Sequence, residues 1–173
     1  VYTGAQVAKI IEGVEARGAF ARCDAVLSGY MGDRAIGEAI LGAVARVKAA
    51  NPKAVFCCDP VIGDDDTGDY VRPGIAEFMR DHAIPAADII TPNRYEVERL
   101  TGNAVRTQAD AKAAIAALQA HGPRTVLITS VRTEETPADA MDMIAGEGGQ
   151  YFLLRTPREE VHVNGAGDAI SAL

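Results

Sequence analysis

The chain is poor in the features that would make it a nucleic-acid binder, a membrane protein or a metal-cysteine protein. Lysine and arginine total 17 against 24 aspartates and glutamates, giving a net charge of −7 and a sequence pI near 4.9. Basic residues are not clustered, so no surface is set up to neutralise a nucleic-acid backbone. No apolar run approaches the ~18 residues of a membrane span, and no charged-then-apolar leader opens the sequence. A cytoplasmic protein is the default expectation. Cys23, Cys57 and Cys58 are odd in number, form no C-x-x-C and have no histidine at ligand spacing, so they read as buried thiols. His82, His121 and His162 are scattered, the first two at expected helix ends. Internal repeats, low-complexity tracts and interdomain linkers are also lacking.

Nucleotide-binding fingerprints are missing as well. There is no G-x-x-x-x-G-K-[ST], and the Gly165 loop fails as G-x-G-x-x-G because its sixth position is Ile170. The acidic stretch 64–70 fails as a calcium loop. With Gly68 at the sixth position, Gly63 falls at the first and Gly74 at the twelfth, where carboxylates belong. It reads instead as a solvated, mobile flap, with Tyr70 as a contact when it closes.

What is present is 173 residues, 48% hydrophobic and 24% charged, enough for one domain with a substantial core. Short β-type runs alternate with 3.6-period stretches, the pattern of βαβ units and a mostly parallel sheet. Strands are expected at 25–27, 55–58, 88–90 and 125–128. Ile36, Ile40, Ala43, Val44 and Val47 mark one face of a helix that ends before Asn51-Pro52. Further helices are expected over 74–82, 93–100 and 109–121, the last stopped by Gly122-Pro123. Residues 141–144 and 151–154 flank a glycine-rich turn and read as an antiparallel hairpin at the sheet edge.

Polar residues gather after each parallel strand. Ser28-Gly29-Tyr30-Met31-Gly32 follows the first, Asp59-Pro60-Val61-Ile62-Gly63-Asp64 the second, Thr91-Pro92-Asn93 with Glu96 the third, and Thr129-Ser130 the fourth. Ligands bind open α/β sheets at the carboxyl ends of the strands, so these loops converge on one crevice. Near the C-terminus, Asn164-Gly165-Ala166-Gly167-Asp168 sets small residues before a carboxylate where a helix begins. Backbone N–H groups there can receive an anion, and an acid beside them suits proton removal from a nucleophile attacking phosphate. A helix cap is the bland alternative for Asp168. Asp59 and Glu96 are expected to hold Mg²⁺ directly or through its waters. Thr91, Thr129 and Ser130 are expected to donate hydroxyls to phosphate oxygens.

These segments, in this order across nearly the whole chain, resemble the pyridoxal kinase family of the ribokinase-like superfamily. D-P-V-x-G and T-P-N-x-x-E mark its vitamin-kinase branch, and S-G-Y-x-G favours pyridoxal over hydroxymethylpyrimidine as acceptor. The resemblance implies an α/β, three-layer ribokinase-like fold with a mostly parallel sheet flanked by helices, with residues 1–173 one partial kinase domain truncated at both ends. It implies ATP- and Mg²⁺-dependent phosphorylation of the 5′-hydroxymethyl group of pyridoxal, pyridoxine or pyridoxamine by a homodimer. Asp168 is then the base and Gly165, Ala166 and Gly167 the anion hole. Asp59, Thr91, Asn93, Glu96, Thr129 and Ser130 lie on the nucleotide and metal side, and stretch 155–163 falls where the family packs the nucleotide base. A monovalent-cation requirement is left open. The segment alone is expected not to turn over. A hydroxymethylpyrimidine or sugar kinase, and a non-catalytic nucleotide-binding module, are the alternatives.

Overall fold

The structure is a computed structural model that describes residues 2–159 and 165–173. The chain enters through α1 (Gly4–Glu15), which the apolar pattern did not single out. Its start is fixed by a reciprocal cap in which the Thr3 side chain accepts from the Gln6 N–H and the Gln6 side chain accepts from the Thr3 N–H. Then come β1 (Ala25–Ser28), α2 (Arg34–Ala50) and β2 (Val55–Cys58). Asp33 caps α2 by accepting the Ile36 N–H, and the helix stops where Pro52 forbids continuation. A small antiparallel ribbon follows, β3 (Gly63–Asp64) and β4 (Gly68–Asp69).

The helix expected over 74–82 runs further. It begins as α3 (Ile75–Phe78), widens into a π turn over Met79–Ala83 and continues as α4 (Ile84–Ala86), so His82 sits within a helical path rather than at its end. Pro85 explains the widening. In a regular helix its ring would strike the carbonyl four residues back, and the wide turn, with the Ile84 N–H donating to the Met79 carbonyl, makes room.

Next come β5 (Ile89–Ile90), α5 (Arg94–Thr101), α6 (Gln108–Gln119), β6 (Thr125–Val131), β7 (Ala140–Glu147), β8 (Gln150–Pro157) and α7 (Ala166–Ala172). The six-stranded sheet has the order β1-β2-β5-β6-β7-β8, parallel from β1 to β6 and antiparallel beyond. The closing hairpin is longer than expected. It turns at Gly148-Gly149, whose φ values of 57° and 78° only glycine adopts without strain.

Alternate strand residues point to opposite faces. On one face Phe56, Cys58, Ile90, Val126, Ile128 and Ile144 are buried against Val44, Phe78, Met79, Val97 and Ile115 of the helices. On the other, Leu27 and Phe152 are exposed and Cys57, Ile89, Leu127 and Met143 half-buried, among the described residues. Of the three thiols expected to be buried, only Cys58 is; Cys57 keeps partial exposure because it lies on this second face, and Cys23 because it sits in the turn before β1. Helix α7 packs on that face, where the Cys57 thiol meets the Ser171 carbonyl.

Candidate active site

The parallel strands all finish at one sheet edge, and their trailing loops line a cleft of about 620 Å³. Tyr30 enters from the loop after β1, Asp59 from β2, Thr91 and Asn93 from β5, Thr129 and Ser130 from β6. Glu96 contributes from α5, Tyr70 from the end of the ribbon, and Gly165, Ala166, Gly167 and Asp168 from the start of α7. Asn164 and stretch 160–163, with His162, lie outside the described residues. A second cavity, between α4 and α6, is only about 90 Å³ and, among the described residues, gathers no acidic side chain.

Local sequence places each group. Asn93 caps α5 by accepting the Glu96 N–H, and Glu96 answers by accepting the Asn93 N–H at 2.8 Å. The other Glu96 oxygen accepts the Ile62 N–H at 2.9 Å, so this side chain ties the loop after β2 to the start of α5. At β6 the register with β7 shifts between Ile128 and Val131, and Ser130 takes a φ of 51°, the only positive value at a non-glycine residue among those described. Such a bulge re-aims side chains at a sheet rim, and here it turns Ser130 into the cleft.

Asp168 stands over the strand ends. A Cβ added at Gly29 would lie 3.6 Å from its Oδ1, and one added at Gly167 would lie 3.9 Å from Asp59 Oδ2. The turn before it relies on Gly165 in the left-handed region, φ 84°. Two carboxyls below have shifted acidities. Burial pushes Asp59 up to about 6, the Ser171 hydroxyl pulling it back and the Asp168 charge adding to the rise. Burial likewise pushes Glu96 up to about 7, against the N–H groups of Asn93 and Ile62 and with the Asp59 charge.

Among the described residues the acid-rich lining contains Asp59, Asp64, Asp66, Glu96 and Asp168 and neither lysine nor arginine. A polyphosphate entering it would face like charge unless cations came with it. Among the described residues no three histidine, cysteine, aspartate or glutamate side chains are arranged to cage a metal ion. The donor set therefore fits a hard cation that keeps most of its water and meets one or two carboxylates plus ligand oxygens, the habit of Mg²⁺. Asp59 can offer a free carboxylate oxygen, whereas both Glu96 oxygens already accept backbone N–H groups, so contact through water suits Glu96.

The ribbon expected as a mobile flap is pinned along one side. Arg99 grips Asp69 through two nitrogens at 2.9 and 2.6 Å, the Tyr95 hydroxyl donates to Asp69 at 2.7 Å, Arg94 pairs with Asp65 at 2.7 Å, and Asn93 Nδ2 donates to the Gly63 carbonyl. Tyr70, at its end, is half open to solvent; burial and then the Glu96, Asp64, Asp59 and Asp168 charges raise its hydroxyl above the usual range.

Ser171 was missed by sequence reasoning. Its hydroxyl lies 2.7 Å from Thr91 Oγ1 and 3.0 Å from the Gly167 carbonyl. The available signal was its spacing, three residues after Asp168 on one helix face.

Comparison with known proteins gives a consistent outcome. The family described as phosphomethylpyrimidine kinase matches residues 6–173. The pyridoxal kinase PdxY of Granulibacter bethesdensis is 54% identical over 100% of this chain and 62% of its own length. That of Rubrobacter xylanophilus is 49% identical over 100% of this chain and 60% of its own length. The chain thus spans less than two thirds of the curated relatives it matches. Among solved structures, a pyridoxal kinase from Leishmania donovani in complex with ADP and pyridoxamine superposes with a TM-score of 0.86 at 28% identity, covering 99% of this chain and 59% of that one.

Proposed function

Because this chain belongs to the phosphomethylpyrimidine kinase family, we propose that the whole protein transfers the γ-phosphoryl group of ATP to the 5′-hydroxymethyl group of pyridoxal, pyridoxine or pyridoxamine. In this reading residues 1–173 are the larger part of one ribokinase-like kinase domain. The observation that carries it is the convergence, in one cleft, of the Asp168 carboxylate, the glycine turn before it and the strand-end residues Asp59, Thr91 and Thr129. The pyridoxal kinase relatives support the choice of acceptor, as does the S-G-Y-x-G segment that brings Tyr30 to the cleft. A homodimer, which rests on the family resemblance, belongs to the same reading, as does the cytoplasmic location taken as the default from the sequence.

Each residue then has a task. Asp168 takes the proton from the acceptor hydroxyl as its oxygen attacks phosphorus, which makes that oxygen a competent nucleophile at neutral pH. The N–H groups of Gly165, Ala166 and Gly167 face the phosphoryl oxygens in flight, where negative charge is spread. Asn93, Thr129 and Ser130 supply donors on the nucleotide side. Asp59, and Glu96 through water, would hold Mg²⁺, which when bound neutralises phosphate charge in an acidic cleft.

Purified whole protein should be given ATP and Mg²⁺ with pyridoxal, hydroxymethylpyrimidine or ribose, and ADP release measured. Pyridoxal is expected to give a kcat/KM at least about tenfold above the others. Preferential turnover of hydroxymethylpyrimidine or ribose would replace the acceptor, and no turnover of any alcohol would leave a nucleotide-binding module.

A further inference from the structure

We infer that Ser171 is a positioning residue whose hydroxyl fastens α7 to Thr91 at the end of β5 and thereby sets where Asp168 stands over the cleft. The consequence for turnover rests on the kinase reading above; the fastening does not.

Helix α7 follows the Gly165 turn and carries Asp168 in its first turn. Among the described residues its hydrogen bonds to the rest of the molecule both end on Ser171: the hydroxyl to Thr91 Oγ1 at 2.7 Å, and the carbonyl accepting from the Cys57 thiol at 3.7 Å. The second is a weak sulfur donor, so the hydroxyl pair is the firm one. Thr91 is 6% exposed, so its hydroxyl has little access to bulk water as a substitute partner.

One proton arrangement satisfies both contacts. In it the Gly167 carbonyl, 3.0 Å from Ser171 Oγ and able only to accept, takes the Ser171 proton. Thr91 then donates its own to Ser171 Oγ. One chain of two hydrogen bonds runs from β5 through Ser171 to the carbonyl of the residue preceding Asp168. Asp168 and Ser171 are three residues apart, on one side of the helix. Loosening the link lets α7 tilt on its Gly165 hinge and carries Asp168 with it. Displacing a reacting group by about 1 Å can cost about 100-fold in rate.

The plainer account is that Ser171 only bonds back to the carbonyl four residues earlier, as helical serines often do. Thr91 would then be irrelevant to it. The two accounts separate in the whole protein through Ser171→Ala, Thr91→Val, their double mutant, and Thr91→Ser as the variant that keeps the hydroxyl. Positioning predicts that Ser171→Ala and Thr91→Val each lower kcat by about 10- to 100-fold, with KM for pyridoxal within about twofold. It also predicts that the double mutant is no worse than the poorer single and that Thr91→Ser retains most of the wild-type rate. Wild-type kcat in Ser171→Ala, or effects that multiply, would overturn it. Hydrogen exchange supplies a readout free of the reaction. The α7 amides should exchange about fivefold faster in Ser171→Ala and Thr91→Val, the factor that goes with about one hydrogen bond, with little change elsewhere. If the wild-type protein phosphorylates no B6 vitamer, the kinase reading falls while the exchange comparison still decides on Ser171. Unchanged α7 exchange would dismiss Ser171 on its own.

Discussion

Replacing Asp59 with asparagine should make the ligand-free protein more stable at pH 8 and leave it no more stable at pH 4. Burial moves this carboxyl from an ordinary 3.8 to about 6 in the folded state. Between those values the folded chain holds a proton that the unfolded chain has released, so wild-type stability falls as pH rises through the interval. Above it the folded protein carries the full cost of a buried charge. Two units correspond to roughly 3 kcal/mol. Asparagine removes that charge but accepts hydrogen bonds less strongly than a carboxylate, a loss of about 1 kcal/mol. The net gain of about 2 kcal/mol should raise Tm by about 4–8 °C for a protein of this size. The assay is thermal melting of wild type and Asp59→Asn with a chelator and no nucleotide, across pH 4–8. Glu96 remains in both proteins, so the difference between them isolates Asp59, apart from the charge that Asp59 itself exerts on Glu96. With ATP and Mg²⁺ added the order should narrow or reverse, because ligand stabilises the form that binds it. An Asp59→Asn protein less stable than wild type at pH 8, or an equal advantage at both ends of the range, would refute the reasoning.

Asp168→Asn in the whole protein should lower kcat by roughly 10²- to 10⁴-fold with ATP affinity little changed, measured by product formation and nucleotide titration; unchanged turnover would remove Asp168 from proton transfer. Arg155→Ala should cost about 3 kcal/mol in a denaturant melt, because it strips both short contacts, 2.7 and 2.8 Å, from the fully buried Asp142 carboxylate and leaves it only the Thr136 hydroxyl. That figure is at the low end for a broken buried pair, since the Arg155 side chain keeps 36% of its surface in water.

Much of the fold could be read from local patterns. Runs such as Val55–Cys58 are apolar and flanked by turn residues, and a parallel strand needs little else to be recognised. Gly102, with a φ of 73°, closes α5 in the left-handed conformation that glycine favours at a helix end. Harder to see was α1, whose start depends on a Thr3–Gln6 exchange rather than on a strong apolar stripe. The run through Pro85 was hidden because proline normally stops a helix, and the π turn that admits it has no sequence mark. At the site, the residue types and the shared cleft followed from strand-end position. Glu96 is different: sequence made it a metal-side carboxylate, and coordinates add that its oxygens brace the loop after β2. Ser171 and the Arg99–Asp69 grip on the ribbon escaped because each is a contact between segments distant in sequence. Such pairings emerge only when the elements dock.

Ser130 holds its backbone at φ 51°, in the left-handed region. Glycine, asparagine and aspartate enter that region at low cost, whereas β-branched residues do not. A valine or threonine at this rim position would press the bulge of β6 toward regular pleating and swing neighbouring Thr129 with it, so backbone shape as well as hydroxyl chemistry narrows what can stand there.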